Sequence, residues 1–152
     1  MARASSTAVG VVLLVVVTVS LAGLLATAVD ADLATGPPVA RMDLDVTAAT
    51  DRIALTHRAG DSLDVASLRI RVTVAGEPLA HQPPVPFFAA RGFASAPTGP
   101  FNSATLGPWT AGETAALELA GTNSPLIDPG DSVRLTVRTD RGLVADLTTT
   151  AR

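Results

Sequence analysis

The chain has 152 residues, a formal net charge of −3 and no cysteine, which excludes a disulfide framework, a thiol nucleophile and a thiolate metal site. Aromatic residues make up only 3% of it, and no basic run points to nucleic acid. All 11 basic residues are Arg and 11 of the 14 acids are Asp, a bias that fits a GC-rich genome and says little about function.

The first element is apolar. Arg3 is the only charge before Asp30, and the 26 residues from Ala4 to Val29 are uncharged. A helix over 4–29 would span about 39 Å at ~1.5 Å per residue. A bilayer core of about 30 Å is crossed with some tilt, and Arg3 places the N-terminus on the cytoplasmic side. The competing reading is a removed signal peptide, since Ala26-Thr27-Ala28 is an acceptable cleavage motif before Val29. The apolar stretch is longer than the roughly 7–15 residues such a peptide uses. Gly10 and the row Thr18, Ala22, Ala26 are small residues that would let helices approach closely, although such a row also arises by chance in a Val/Leu/Ala-rich segment.

Residues 30–40 form a spacer. Gly36-Pro37-Pro38 cannot continue a helix, because Pro lacks the N–H and disfavours helical geometry before it. About 110 residues follow, enough for one domain with its own core.

From residue 41 the apolar period becomes two, the strand signal. Met42, Leu44 and Val46 alternate with Asp43, Asp45 and Thr47. The same alternation places Ile53, Leu55 and His57 on one face, then Leu68, Ile70, Val72 and Val74, then Ala115, Leu117 and Leu119. Two further sets are Val133, Leu135 and Val137, and Leu143, Ala145 and Leu147. Six strands, each with one apolar face, need a facing sheet, which predicts an antiparallel all-β sandwich of six to eight strands over 41–152. A seventh or eighth strand is sought within 85–108.

Three turns repeat one motif: Ala59-Gly60-Asp61-Ser62-Leu63, Ala111-Gly112-Glu113-Thr114-Ala115 and Pro129-Gly130-Asp131-Ser132-Val133. Gly supplies positive φ, and Asp or Ser bonds nearby backbone. A calcium site needs six to eight oxygens, which one acid per turn does not supply. The stretch 77–110 holds seven of the 11 Pro, all four Phe (Phe87, Phe88, Phe93, Phe101) and the only Trp, Trp109. Pro83-Pro84-Val85-Pro86 is expected to be extended. These aromatics plug one end of the sandwich or form an interaction loop for neighbouring subunits or an adhesion target. His57 falls on an inward face near Asp61, and His81 lies in the Pro-rich loop. Two His without Cys argue against zinc. Ser62, His57 and Asp61 crowd one turn with no nucleophile elbow, and no phosphate loop or dinucleotide fingerprint occurs. The expectation is therefore no enzyme, no cofactor, no metal and no small-molecule substrate. The outward Arg69, Arg71, Arg134 and Arg138 are candidates to meet Asp43 and Asp45 of a neighbour.

The start Arg3-Ala4-Ser5-Ser6-Thr7-Ala8-Val9-Gly10-Val11-Val12-Leu13-Leu14 resembles the N-terminus of type IV pilins from salt-loving archaea. There a short basic leader precedes a small residue, a Gly and a Val/Leu-rich helix. The family often has Pro where Thr7 stands and an aliphatic residue where Ser5 stands. The run Thr56 to Leu63 with its following strand, and Trp109-Thr110-Ala111-Gly112-Glu113, also resemble the exported domain of archaeal pilins. The resemblance implies a leader over 1–3, cut between Arg3 and Ala4 by a prepilin peptidase. It implies that the helix anchors in the membrane and packs against other pilin subunits in a pilus core. The β domain would then be displayed at the cell surface for adhesion. The alternative is a monomeric membrane-anchored or secreted β-sandwich binding module.

Overall fold

A computed structural model describes residues 9–21 and 36–152. The chain divides into two compact units at Gly36–Pro37, inside the predicted spacer.

In the first unit residues 9–21 are helical and their side chains are exposed. Val and Leu occupy every side of this helix, from Val9 to Leu21. Its two hydroxyls are satisfied internally: Thr18 Oγ1 donates to the Leu14 carbonyl, and Ser20 Oγ donates to the Val16 carbonyl at 2.8 Å. Thirteen residues cover about 20 Å at ~1.5 Å each. Among the described residues no helix is long and apolar enough to cross a membrane. The rest of the helix expected over 4–29, with Ala4, Ala22 and Ala26, lies outside the described residues, as does Arg3.

The second unit is built from seven strands in two antiparallel sheets. One sheet has the order β1 (Ala40–Thr47), β2 (Arg52–Gly60), β5 (Thr114–Glu118). The other has the order β4 (Glu77–Pro78), β3 (Arg69–Val74), β6 (Ser132–Thr139), β7 (Gly142–Thr150). All six strands read from the period of two are present. The seventh is not within 85–108: it is the two-residue return Glu77–Pro78 after the Ala75-Gly76 turn. The segment 85–108 contributes isolated bridges and one turn of 3-10 helix, Gly99–Phe101.

The alternating apolar faces meet in one core. Ile53, Leu55, Val72, Val74, Leu117, Val133, Leu135 and Val137 are almost wholly buried, each supplying roughly 1.5–3 kcal/mol before the cost of ordering the chain. Leu143 departs from the expected pattern and is exposed. Its strand carries a bulge: Val137 pairs with Ala145 but Arg138 pairs with Leu143, so Val144 is the extra residue. One inserted residue exchanges the two faces, and Leu143 shares the outer face with Arg138. Ala54 and Ala116, expected outward, are outward yet buried, being small side chains outside the core cluster.

The edge of β5 is covered by its own loop. Ala94 N donates to the Glu118 carbonyl at 2.9 Å, and Thr98 and Ala116 exchange backbone bonds of 2.8 and 3.1 Å. Such cover removes the exposed row of donors and acceptors that an edge presents. At the entry to the domain, Val39 and Asp61 are clasped twice. Asp61 N donates to the Val39 carbonyl at 2.9 Å, and Val39 N donates to Asp61 Oδ2 at 2.9 Å. Gly60 makes this approach possible: its φ is 108°, and a Cβ there would stand 2.2 Å from the Val39 oxygen.

Candidate functional site

The long stretch between β4 and β5, continued by the β5–β6 connection, carries the residues of greatest interest. Irregular backbone inside a domain still needs hydrogen-bond partners. Two side-chain amides supply many of them. Gln82 lies beside β3 where β4 has ended: its Oε1 accepts from Val72 N at 2.8 Å, and its Nε2 donates to the Val72 and Leu79 carbonyls at 3.0 and 3.1 Å. Asn123 is buried and ties three segments together. Its Oδ1 accepts from His81 N and Ser124 N, each at 3.0 Å. Its Nδ2 donates to the His81 and Gly92 carbonyls at 3.0 and 3.1 Å. Both N–H groups and both oxygen lone pairs of this amide are thus used. Neither residue stands out by sequence pattern. The turn signal Asn123-Ser124-Pro125 is the only hint at Asn123.

The aromatic residues separate into two environments. Phe87, Phe93, Phe101 and Trp109 are buried. Phe87 and Phe93 have ring centroids 5.5 Å apart, and Phe101 meets Trp109 edge-on at 5.4 Å. The Trp109 indole N–H donates to the Glu113 carbonyl at 3.1 Å, which satisfies the one polar group of a buried tryptophan. Phe88 alone of the five presents its ring to the surface, at 58% exposure, with Leu106 at 93% on the following loop. The Pro83–Pro86 run is not extended throughout: it bends at Val85–Pro86, whose peptide bond is cis.

His57 is fully buried, and neither ring nitrogen has a partner among the described residues. It meets Trp109 edge-on at 6.0 Å. Asp61 is engaged with Val39, so His57, Asp61 and Ser62 form no relay of hydrogen bonds. The three turn acids each accept a backbone N–H: Asp61 from Val39 at 2.9 Å, Glu113 from Thr110 at 2.6 Å and Asp131 from Asp128 at 2.9 Å. Glu113 is held below the ordinary range for a glutamate, first by the Thr110 backbone bond and then by the Thr110 hydroxyl. Among the described residues no three His, Cys, Asp or Glu side chains gather as a metal site would require.

The acids of β1 are occupied within the chain. Asp43 accepts from Arg58 Nε at 2.6 Å, and Asp45 pairs with Arg152. Both pairs lie on the exposed surface. Of the small residues read as helix-packing candidates, Gly10 and Thr18 lie in the described helix; apart from its own helix backbone and chain neighbours, no described atom stands within 4 Å of where a Cβ at Gly10 would sit. No family model matches the chain, and no curated protein matches it.

Proposed function

We propose that this protein is a non-enzymatic structural subunit, major or minor, of an archaeal type IV pilus or pilin-like surface filament. Its N-terminal helix anchors it in the membrane and polymerises, and its β-sandwich is displayed for adhesion. The observation that carries the reading is the start of the chain: Arg3-Ala4 before a Gly10-containing Val/Leu-rich run that resembles the pilin N-terminus. The described helix supports it physically. A helix apolar on every side has no solvent face and calls for lipid or other helices around it. Its Thr18 and Ser20 hydroxyls bond back to their own helix and need no water there. The two-sheet domain supplies a rigid body for display, and its loop tips Phe88 and Leu106 are apolar contact points of the kind that anchor interfaces.

The intact mass of the protein isolated from the cells that make it tests this reading. A chain beginning at Ala4 is expected, from cleavage by prepilin peptidase between Arg3 and Ala4. A soluble chain beginning at Val29 would sink the filament reading and favour a secreted binding module. An uncut chain would favour a monomeric membrane anchor.

A further inference from the structure

The outer face of the β4-β3-β6-β7 sheet is dominated by arginine on an otherwise acidic protein. Arg69 and Arg71 project from β3, and Arg134 and Arg138 from β6, all exposed. The register pairs Arg69 directly with Arg138, a like-charge juxtaposition that destabilises a sheet unless something compensates it. The one acid on this face, Asp146, is taken by Arg134, whose Nε donates to Oδ1 at 2.8 Å. That bond holds Asp146 below the ordinary carboxylate range. Among the described residues no carboxylate pairs with Arg69, Arg71 or Arg138. Thr136 lies between Arg134 and Arg138 and faces Arg71, and Thr73 faces Arg134 at the end of the strip, leaving a shallow polar floor.

We propose that this face binds an acidic polysaccharide, a linear polymer bearing carboxylate or sulfate groups. Guanidinium forks bind such oxyanions in bidentate geometry. Residues two apart on a strand lie about 7 Å apart and neighbouring strands about 4.8 Å apart, so the four cations cover a strip roughly 13 Å long. That strip suits one narrow chain with well-spaced acidic groups. Duplex DNA, with a charge every ~1.7 Å, would overrun it onto a protein whose net charge is −3. Single-stranded nucleic acid needs stacking platforms, and no aromatic side chain lies on this face. A membrane surface would need an apolar band, and Leu143 is the only exposed large apolar side chain there. Among the described residues, the strands of a second copy offer one row of acids, Asp43 and Asp45 of β1. Asp43 and Asp45 are paired with arginines, while Asp61, Glu113 and Asp131 are each tied to a turn. The proposal does not depend on the filament reading and holds equally for a monomeric anchor.

The test uses the full chain in detergent micelles, with binding measured to immobilised polygalacturonate, dextran sulfate, neutral dextran and duplex DNA. The expected result is at least about tenfold tighter binding to one of the charged polysaccharides than to dextran, weakened by added NaCl, since the contacts are electrostatic. R69E/R138E loses at least about tenfold, whereas R41E/R91E, an equal change of net charge off this face, loses less than about threefold. If R69E/R138E fails to fold, R69Q/R138Q serves, its fold checked by the emission of Trp109. Binding no tighter than to dextran, or equal loss in both double variants, overturns the proposal. So does tighter binding to DNA than to both polysaccharides, or self-association of the wild type that the Arg69/Arg138 changes disperse.

Discussion

Replacing Asn123 by Ala removes four hydrogen bonds from a buried position. Each neutral bond contributes about 0.5–1.5 kcal/mol, and a buried group left without a partner costs about 1–3 kcal/mol. The Gly92 carbonyl keeps a second donor, Ala120 N at 3.0 Å, so its loss is the smallest. The loss expected for N123A is therefore about 3–4 kcal/mol. For a domain of this size each kcal/mol shifts Tm by roughly 4 °C, giving a fall of roughly 12–16 °C. Trp109, the only tryptophan, is buried beside Phe101, so its emission reports on this domain alone. N123D provides the sharper comparison. It keeps the two accepted bonds but turns an oxygen toward the His81 and Gly92 carbonyls, which disfavours the ionised carboxylate and raises its pKa in the fold above ~3.9. Its deficit is expected to be larger at pH 7 than at pH 4, because the protonated acid donates one bond again. Thermal melts followed by Trp109 emission at the two pH values decide the matter. An N123A melting point within roughly 4 °C of wild type would refute the idea that this amide holds the loop together.

Three further outcomes are expected. Gly60→Ala should lower the urea midpoint by several tenths molar or more, since a Cβ 2.2 Å from the Val39 oxygen forces the Val39–Asp61 clasp apart; an unchanged midpoint would show that the entry to the domain is not constrained. His57→Leu should raise Tm by roughly 4 °C, because removing a buried N–H without a partner gains about 1–3 kcal/mol against about 0.5–1.5 kcal/mol of lost ring contact with Trp109; a lower Tm would contradict this. Glu113, held low by its bonds from Thr110, contributes stability above its unfolded pKa of about 4.3 and loses it as pH falls through its lower folded value. Glu113→Gln should therefore flatten the acid limb of the stability profile below about pH 4, and a carboxyl NMR titration should place Glu113 below an ordinary glutamate.

The strands were legible because each carries its apolar residues on one face for the length of the pairing. Val133-Leu135-Val137 and Ile70-Val72-Val74 needed nothing beyond the period of two. The period of two misplaces Leu143 because a bulge is a property of two strands together: nothing in Gly142-Leu143-Val144-Ala145 says which residue β6 will skip. The two-residue β4 is too short to show any period. The loop stands out by its Pro and Phe content, but the amides that organise it do not, because a satisfied Asn or Gln looks the same in sequence as a solvated one. The period of two puts the arginines outward, as they are, and makes them candidates to meet Asp43 and Asp45 of a neighbour. Within the chain those two acids meet Arg58, from the adjacent strand, and Arg152, 107 positions away, pairings that no period of two announces.

The segment from Phe93 to Thr98, laid along β5, has a consequence for any array of these domains. Crowded copies with a bare strand at the rim would recruit one another by templated sheet growth, an association that seldom reverses. With that rim sealed by the chain itself, β5 offers no template to a neighbour, and joining of this kind is confined to the other long rims, β1 and β7.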